Sequence, residues 1–166
     1  RVPYMIMGGQ AVLAYGMFRS TKDVDVTLGI GPDGIDMILD LAQDCGWKVI
    51  PADARRFVSE TFVLPCVDPA THVRIDFIFS FSPFETMAIA RARTFKIDGI
   101  DVRYISPEDL VIQKVVAGRP QDLDDANWIG PKSAGRGPDE LRRALRQFED
   151  ALNRPLTKDL EGILKP

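Results

Sequence analysis

Residues 73–79 read Val-Arg-Ile-Asp-Phe-Ile-Phe, and this run restricts the fold more than any other. Branched and aromatic side chains in series, with no glycine or proline, make a β-strand. A strand this apolar has to lie in a sheet with its faces covered. Asp76 in its middle is costly unless it is paired or bound to a metal ion. Arg74, two residues earlier on the same face, offers a simple salt bridge as the alternative.

The rest of the chain supplies the layers around that strand. Tyr4–Met7 is a short apolar strand stopped by Gly8-Gly9, and the spacing of Ala11, Val12, Ala14 and Tyr15 predicts a helix over Gln10–Phe18. Asp23–Leu28 is a second strand, and an amphipathic helix runs from Asp33 or Gly34 to Asp44 with Gly46 as its C-terminal stop. Strands follow at 47–50 and 62–67, then a helix at 84–92. Asp98-Gly99 between 94–97 and 100–104 marks a hairpin. Ser106-Pro107-Glu108-Asp109 opens a helix reaching about Ala117, and another begins after Arg119-Pro120. A loop at 131–137 precedes helices over 138–152 and 156–164. The expectation is an α+β fold: a catalytic core of mixed sheet and flanking helices over 1–105, and a helical cap over 106–166 packed on it.

Bulk properties narrow the function. With 166 residues, 45% hydrophobic and 27% charged, the chain can bury a core and is not disordered. Cys45 and Cys66 form no framework, which suits a reducing cytoplasmic setting with both thiols buried. No run approaches the ~20 apolar residues of a membrane span. The chain starts almost inside a strand and without Met, so an upstream segment is expected. Net charge −3 argues against a protein that grips nucleic acid along its length. Lys132, Arg136, Arg142, Arg143 and Arg146 form one locally basic stretch, read as a solvated helix face ahead of a binding patch. His72 is the only histidine; no Ser-His or Cys-His site avoids it, no zinc-ligand spacing exists, and there is no phosphate-loop or dinucleotide fingerprint.

What remains is carboxylate chemistry. In Asp23-Val24-Asp25-Val26, strand alternation puts both aspartates on one face, roughly 7 Å apart. A divalent cation would relieve both their repulsion and their desolvation, whereas a wet edge strand would simply solvate them. Gly8-Gly9, between a strand and a helix, lets a ligand approach the backbone and suits a phosphate. With Asp76, the set fits phosphoryl transfer over two metal ions. Lys114 shares a face with Leu110, Val111 and Val115, where it either reaches a partner or snorkels. Asp122 and Asp125 share one helix face; they orient Lys114 or Arg119, act as a base, or occupy an acidic first turn.

The run Gly8-Gly9-Gln10-Ala11 … Tyr15-Gly16 … Arg19-Ser20-Thr21-Lys22-Asp23-Val24-Asp25-Val26 resembles the signature of the polymerase-β-type nucleotidyltransferase superfamily. Its finer form is similar to the AbiE-toxin-type bacterial enzymes. Lys114 followed by Arg119-Pro120-Gln121-Asp122-Leu123-Asp124-Asp125 resembles that group's downstream motif. The resemblance implies a nucleotidyltransferase fold and Mg²⁺ or Mn²⁺, two ions, on Asp23, Asp25 and Asp76. It implies that Gly8, Gly9 and Lys114 contact the nucleotide phosphates, with Asp122 near the nucleotide and Asp125 in a catalytic role. Arg19 and Thr21 either touch phosphate or brace the aspartates, bracing being the better reading for Thr21. The implied reaction moves a nucleoside monophosphate from an NTP to a hydroxyl on a tRNA end or a protein, with an antitoxin as possible partner. The alternatives are a small-molecule acceptor, as in aminoglycoside nucleotidyltransferases, which suits the acidic pI, and a catalytically idle nucleotide-binding fold.

Overall fold

The computed structural model describes residues 2–18, 20–130 and 138–163. Arg19, the expected loop at 131–137 with Lys132 and Arg136, and residue 164 lie outside the described residues. The chain divides into two compact units, one of Arg1–Ala14 with Phe18–Ile105, the other of Tyr15–Met17 with Ser106–Pro166.

The first unit is a mixed seven-stranded sheet in the order β3-β4-β5-β2-β1-β7-β6. Its strands are β1 (Tyr4–Met7), β2 (Asp23–Leu28), β3 (Lys48–Val49), β4 (Val63–Val67), β5 (Arg74–Phe79), β6 (Arg93–Ile97) and β7 (Ile100–Tyr104). The pairs β2–β5 and β1–β7 are parallel, and the others are antiparallel. The β6–β7 hairpin turns at Asp98 and Gly99, both at positive φ, as the Asp-Gly signal requires.

The helices of this unit are α1 (Gly8–Ala14), α2 (Ile35–Asp44), α3 (Ala54–Thr61) and α4 (Pro83–Arg91). Ile35, Ile38 and Ala42 of α2 and Val58 of α3 meet Leu64, Cys66, Ile75, Phe77 and Phe79 in one apolar core. α2 ends with Gly46 at φ 69°, and the amides of Gly46 and Trp47 bond back to the carbonyls of Gln43 and Ala42, which satisfies the last turn.

Three expectations are corrected. The first helix is shorter and earlier than Gln10–Phe18: it starts at Gly8, directly off β1, and stops at Ala14 before a turn with Gly16 at φ 91°. Residues 54–61, left unassigned by periodicity, are a helix capped by Asp53, whose carboxylate accepts from the amide of Arg56. Cys45, at the C-cap of α2, is exposed rather than buried, and only Cys66 is buried.

The second unit holds four helices: α5 (Pro107–Ala117), α6 (Pro120–Ile129), α7 (Pro138–Leu152) and α8 (Thr157–Ile163). Leu110, Val111, Ile112, Val115, Ala126, Ile129, Leu141, Leu145, Leu156 and Leu160 are buried in it. The Ser106 hydroxyl accepts from the amide of Asp109, the N-cap its spacing predicts. No helix among the described residues is long and apolar enough to cross a membrane.

Candidate active site

The beginnings of β2 and β5 lie side by side, with Asp23 opposite Arg74 and Asp25 opposite Asp76. Strand alternation puts these four side chains on one face of the sheet. Ile75 and Phe77 point the other way, into the apolar core. Residues directly opposite on neighbouring strands are about 5 Å apart, so the parallel register brings together carboxylates 51 residues apart in sequence.

On the other side of β2, Met7 of β1 stands opposite Asp25. The chain leaves the sheet at the next residue, Gly8, with φ at 63°. A Cβ at Gly8 would fall on Oδ2 of Asp25. Glycine is required here twice over, for the backbone conformation and for the space the carboxylate occupies. Gly9 follows, buried in the first turn of α1.

Asp23 is held from two directions. The Thr21 hydroxyl lies 3.2 Å from both its Oδ1 and its backbone oxygen, and a single proton serves one of them at a time. The Gln10 amide nitrogen, 3.5 Å away, donates to the same backbone oxygen and ties α1 to the start of β2. Gln10 was not singled out from the sequence; its place after Gly8-Gly9 was the only hint.

Arg74 pairs with Asp76. Its Nε lies 2.8 Å from Oδ1 of Asp76, whose side chain is only 14% exposed against 53% for the arginine. The hydrogen bond to Asp76 raises the guanidinium above its ordinary pKa; the charges of Asp76, Asp23 and Asp25 add to this, and burial opposes it. Arg74 is thus bonded to Asp76, and the charges of Asp23 and Asp25 also favour its charged form.

The donor set suits a hard divalent ion: carboxylate oxygens only, on a half-exposed face that leaves room for phosphate and water ligands. Cys66, opposite Ile75 on the core face, adds no soft ligand. Burial, with Asp76 nearby, pushes its thiol up to about 11, so it stays protonated. Among the described residues, no three His, Cys, Asp or Glu side chains converge tightly enough to hold a metal ion; Asp76 is engaged by Arg74 instead.

The second unit gathers Lys114, Asp122 and Asp125. The Lys114 ammonium lies 2.8 Å from Asp122 Oδ1 and 2.8 Å from Asp125 Oδ2. All three side chains are at most 7% exposed. Arg119, largely exposed, bonds both oxygens of Asp122. Burial pushes the Asp122 carboxyl up, but hydrogen bonds from Arg119 and Lys114 and their charges outweigh it, and it ends below the ordinary aspartate range. Lys114 thus reaches partners on its apolar face, and these partners are two of the three aspartates of the next helix.

Comparison with known proteins bears on both clusters. The sequence model of a family described as "Nucleotidyltransferase of unknown function (DUF6036)" matches residues 1–129. No curated protein matches the chain in sequence. Among solved structures, an antigenic nucleotidyltransferase-like protein from Paracoccidioides brasiliensis superimposes with a TM-score of 0.59 at 20% identity, over 96% of this chain and 84% of its own. The antibiotic-resistance factor ANT(2'')-Ia gives 0.59 at 17% identity, over 92% and 86%. The lincosamide antibiotic adenylyltransferase LnuA, bound to lincomycin, gives 0.53 at 13% identity, over 78% and 86%. At these identities the likeness is one of fold.

Proposed function

The chain belongs to the DUF6036 family of nucleotidyltransferases, and on that premise we propose that it moves a nucleoside monophosphate from an NTP to an acceptor hydroxyl. The observation that carries this reading is the β2–β5 register, which sets Asp25 against Asp76 with Asp23 two residues up the strand. In the reaction the acceptor oxygen bonds to the α-phosphorus, the bond to the β-phosphate oxygen breaks, and pyrophosphate leaves.

Asp23, Asp25 and Asp76 would hold two Mg²⁺ or Mn²⁺ ions, which neutralise the triphosphate and lower the pKa of the attacking hydroxyl. Gly8 and Gly9 leave the backbone open to the phosphates. Thr21 fixes the Asp23 carboxylate from behind. Asp76 completes the set and helps activate the hydroxyl. Arg19 is assigned to phosphate contact on the motif alone. Lys114 and Asp125, with Asp122, are assigned to keeping α5 and α6 in register; a phosphate contact by Lys114 would require it to leave two buried aspartates.

The acceptor has two supported readings. The AbiE-type motif resemblance supports a tRNA end or a protein, with an antitoxin as partner. The net charge of −3 supports a small molecule over a polyanion. One assay separates them: protein, Mg²⁺ and each α-labelled NTP, with tRNA, with no acceptor, or with an aminoglycoside panel. Asp25→Asn is the control, with transfer expected to fall on the order of 10³-fold, since a bound metal contributes several kcal/mol. No transfer to any acceptor, together with no Mg²⁺-dependent nucleotide binding, sinks the enzyme reading in favour of the idle fold.

A further inference from the structure

Arg74 is bonded to Asp76, one of the three carboxylates that the reading above assigns to a divalent ion. It faces Asp23 across the strand pair and precedes Asp76 by two residues on the same face. Its Nε takes one oxygen of Asp76 at 2.8 Å, and Asp23 and Asp25 act on the same guanidinium. Apolar packing does not lock this side chain, which is about half exposed. The guanidinium end of the pair is open to water, whereas Asp76, at 14% exposed, needs another cation if Arg74 leaves.

We propose that Arg74 is the resident counter-cation of Asp76 and competes with the divalent ion for it, so that the metal centre assembles only when Arg74 lets go. This rests on the nucleotidyltransferase reading of the site. Two features favour exchange over cooperation. One oxygen of Asp76 is already taken by Arg74 at 2.8 Å. A guanidinium left beside Asp76 would also repel the incoming ion. The exchange couples metal entry to nucleotide entry, because the triphosphate that arrives with the metal gives the guanidinium fork a second anion to bond. A merely structural salt bridge would instead brace the start of β5 and leave metal affinity unchanged.

The test is Mn²⁺ titration of the full chain without nucleotide, by electron paramagnetic resonance of the free ion. It compares wild type with Arg74→Met and Arg74→Lys, each checked for folding by circular dichroism. Arg74→Met should bind Mn²⁺ roughly tenfold more tightly, the order expected when one charge is removed beside the ion, and Mn²⁺ should raise its melting temperature more than it raises that of wild type. Arg74→Lys, which keeps the charge but loses the fork, should fall between the two and serves alone if Arg74→Met does not fold. Wild-type affinity, or weaker, in a folded variant overturns the exchange while leaving the metal site standing. If no protein in the series binds Mn²⁺, the metal-site reading falls and the exchange falls with it.

Discussion

On β2 and β5, a half-exposed Arg74 pairs with Asp76 on the face that also carries Asp23 and Asp25; between α5 and α6, two carboxylates share an ammonium and a guanidinium, with the ammonium and both carboxylates buried. Counting these side chains alone, the first set has two more negative than positive charges and the second is balanced. A buried set has to be neutral, because unpaired charge in a low-dielectric interior is expensive. An open set can keep an excess, because water tolerates it until a cation arrives. On the function proposed above, this difference would separate a place that receives a ligand from one that holds two helices together.

The comparison breaks first at Lys114. Replacing Lys114 with Met leaves Asp125 buried without its ammonium, at an expected cost of about 3–5 kcal/mol in urea unfolding. Asp25→Asn removes one of three like charges and should leave stability unchanged or raised while transfer collapses. Equal losses of stability in the two variants would refute the distinction. Gly8→Ala tests the crowding at the open cluster. It forces a left-handed backbone on alanine, which costs about 1–2 kcal/mol, and it displaces Asp25, so transfer should fall more steeply than stability. A variant that keeps full transfer would show that Asp25 does not need its observed position.

The smallest effect is a pH dependence. The Asp122 carboxyl is depressed in the folded protein, so its contribution is fully present above the unfolded value, about 3.9. That contribution is lost as pH falls through the folded value. The stability gap between wild type and Asp122→Asn should be flat near neutrality and shrink below about pH 4. A gap that widens in acid would reverse the assignment.

Much of this was readable from residue order, and particular elements show why. Asp23 and Asp25 share a face because side chains alternate along a strand, a purely local rule. The Asp98-Gly99 turn and the Ser106 cap are equally local. α3 was not assigned from the sequence: only Val58 of it is buried, and it ends on Phe62 at φ 60° rather than on a glycine. α1 was misplaced because Gly8-Gly9 reads as a helix breaker, yet the chain turns there directly from β1 into the helix.

By itself the sequence determined most of the strands and which face carries Asp23 and Asp25, and it led to the expectation of carboxylate and phosphate chemistry. The tertiary structure decided that β5 lies parallel to β2 with Asp76 against Asp25, that Gly8 passes over the Asp25 carboxylate, and that Arg74 pairs with Asp76. It also decided that Lys114 turns to Asp122 and Asp125. The physical reason is range: periodicity and capping act over a few residues, whereas strand register and buried charge pairing join residues that meet only when the sheet and the helices pack.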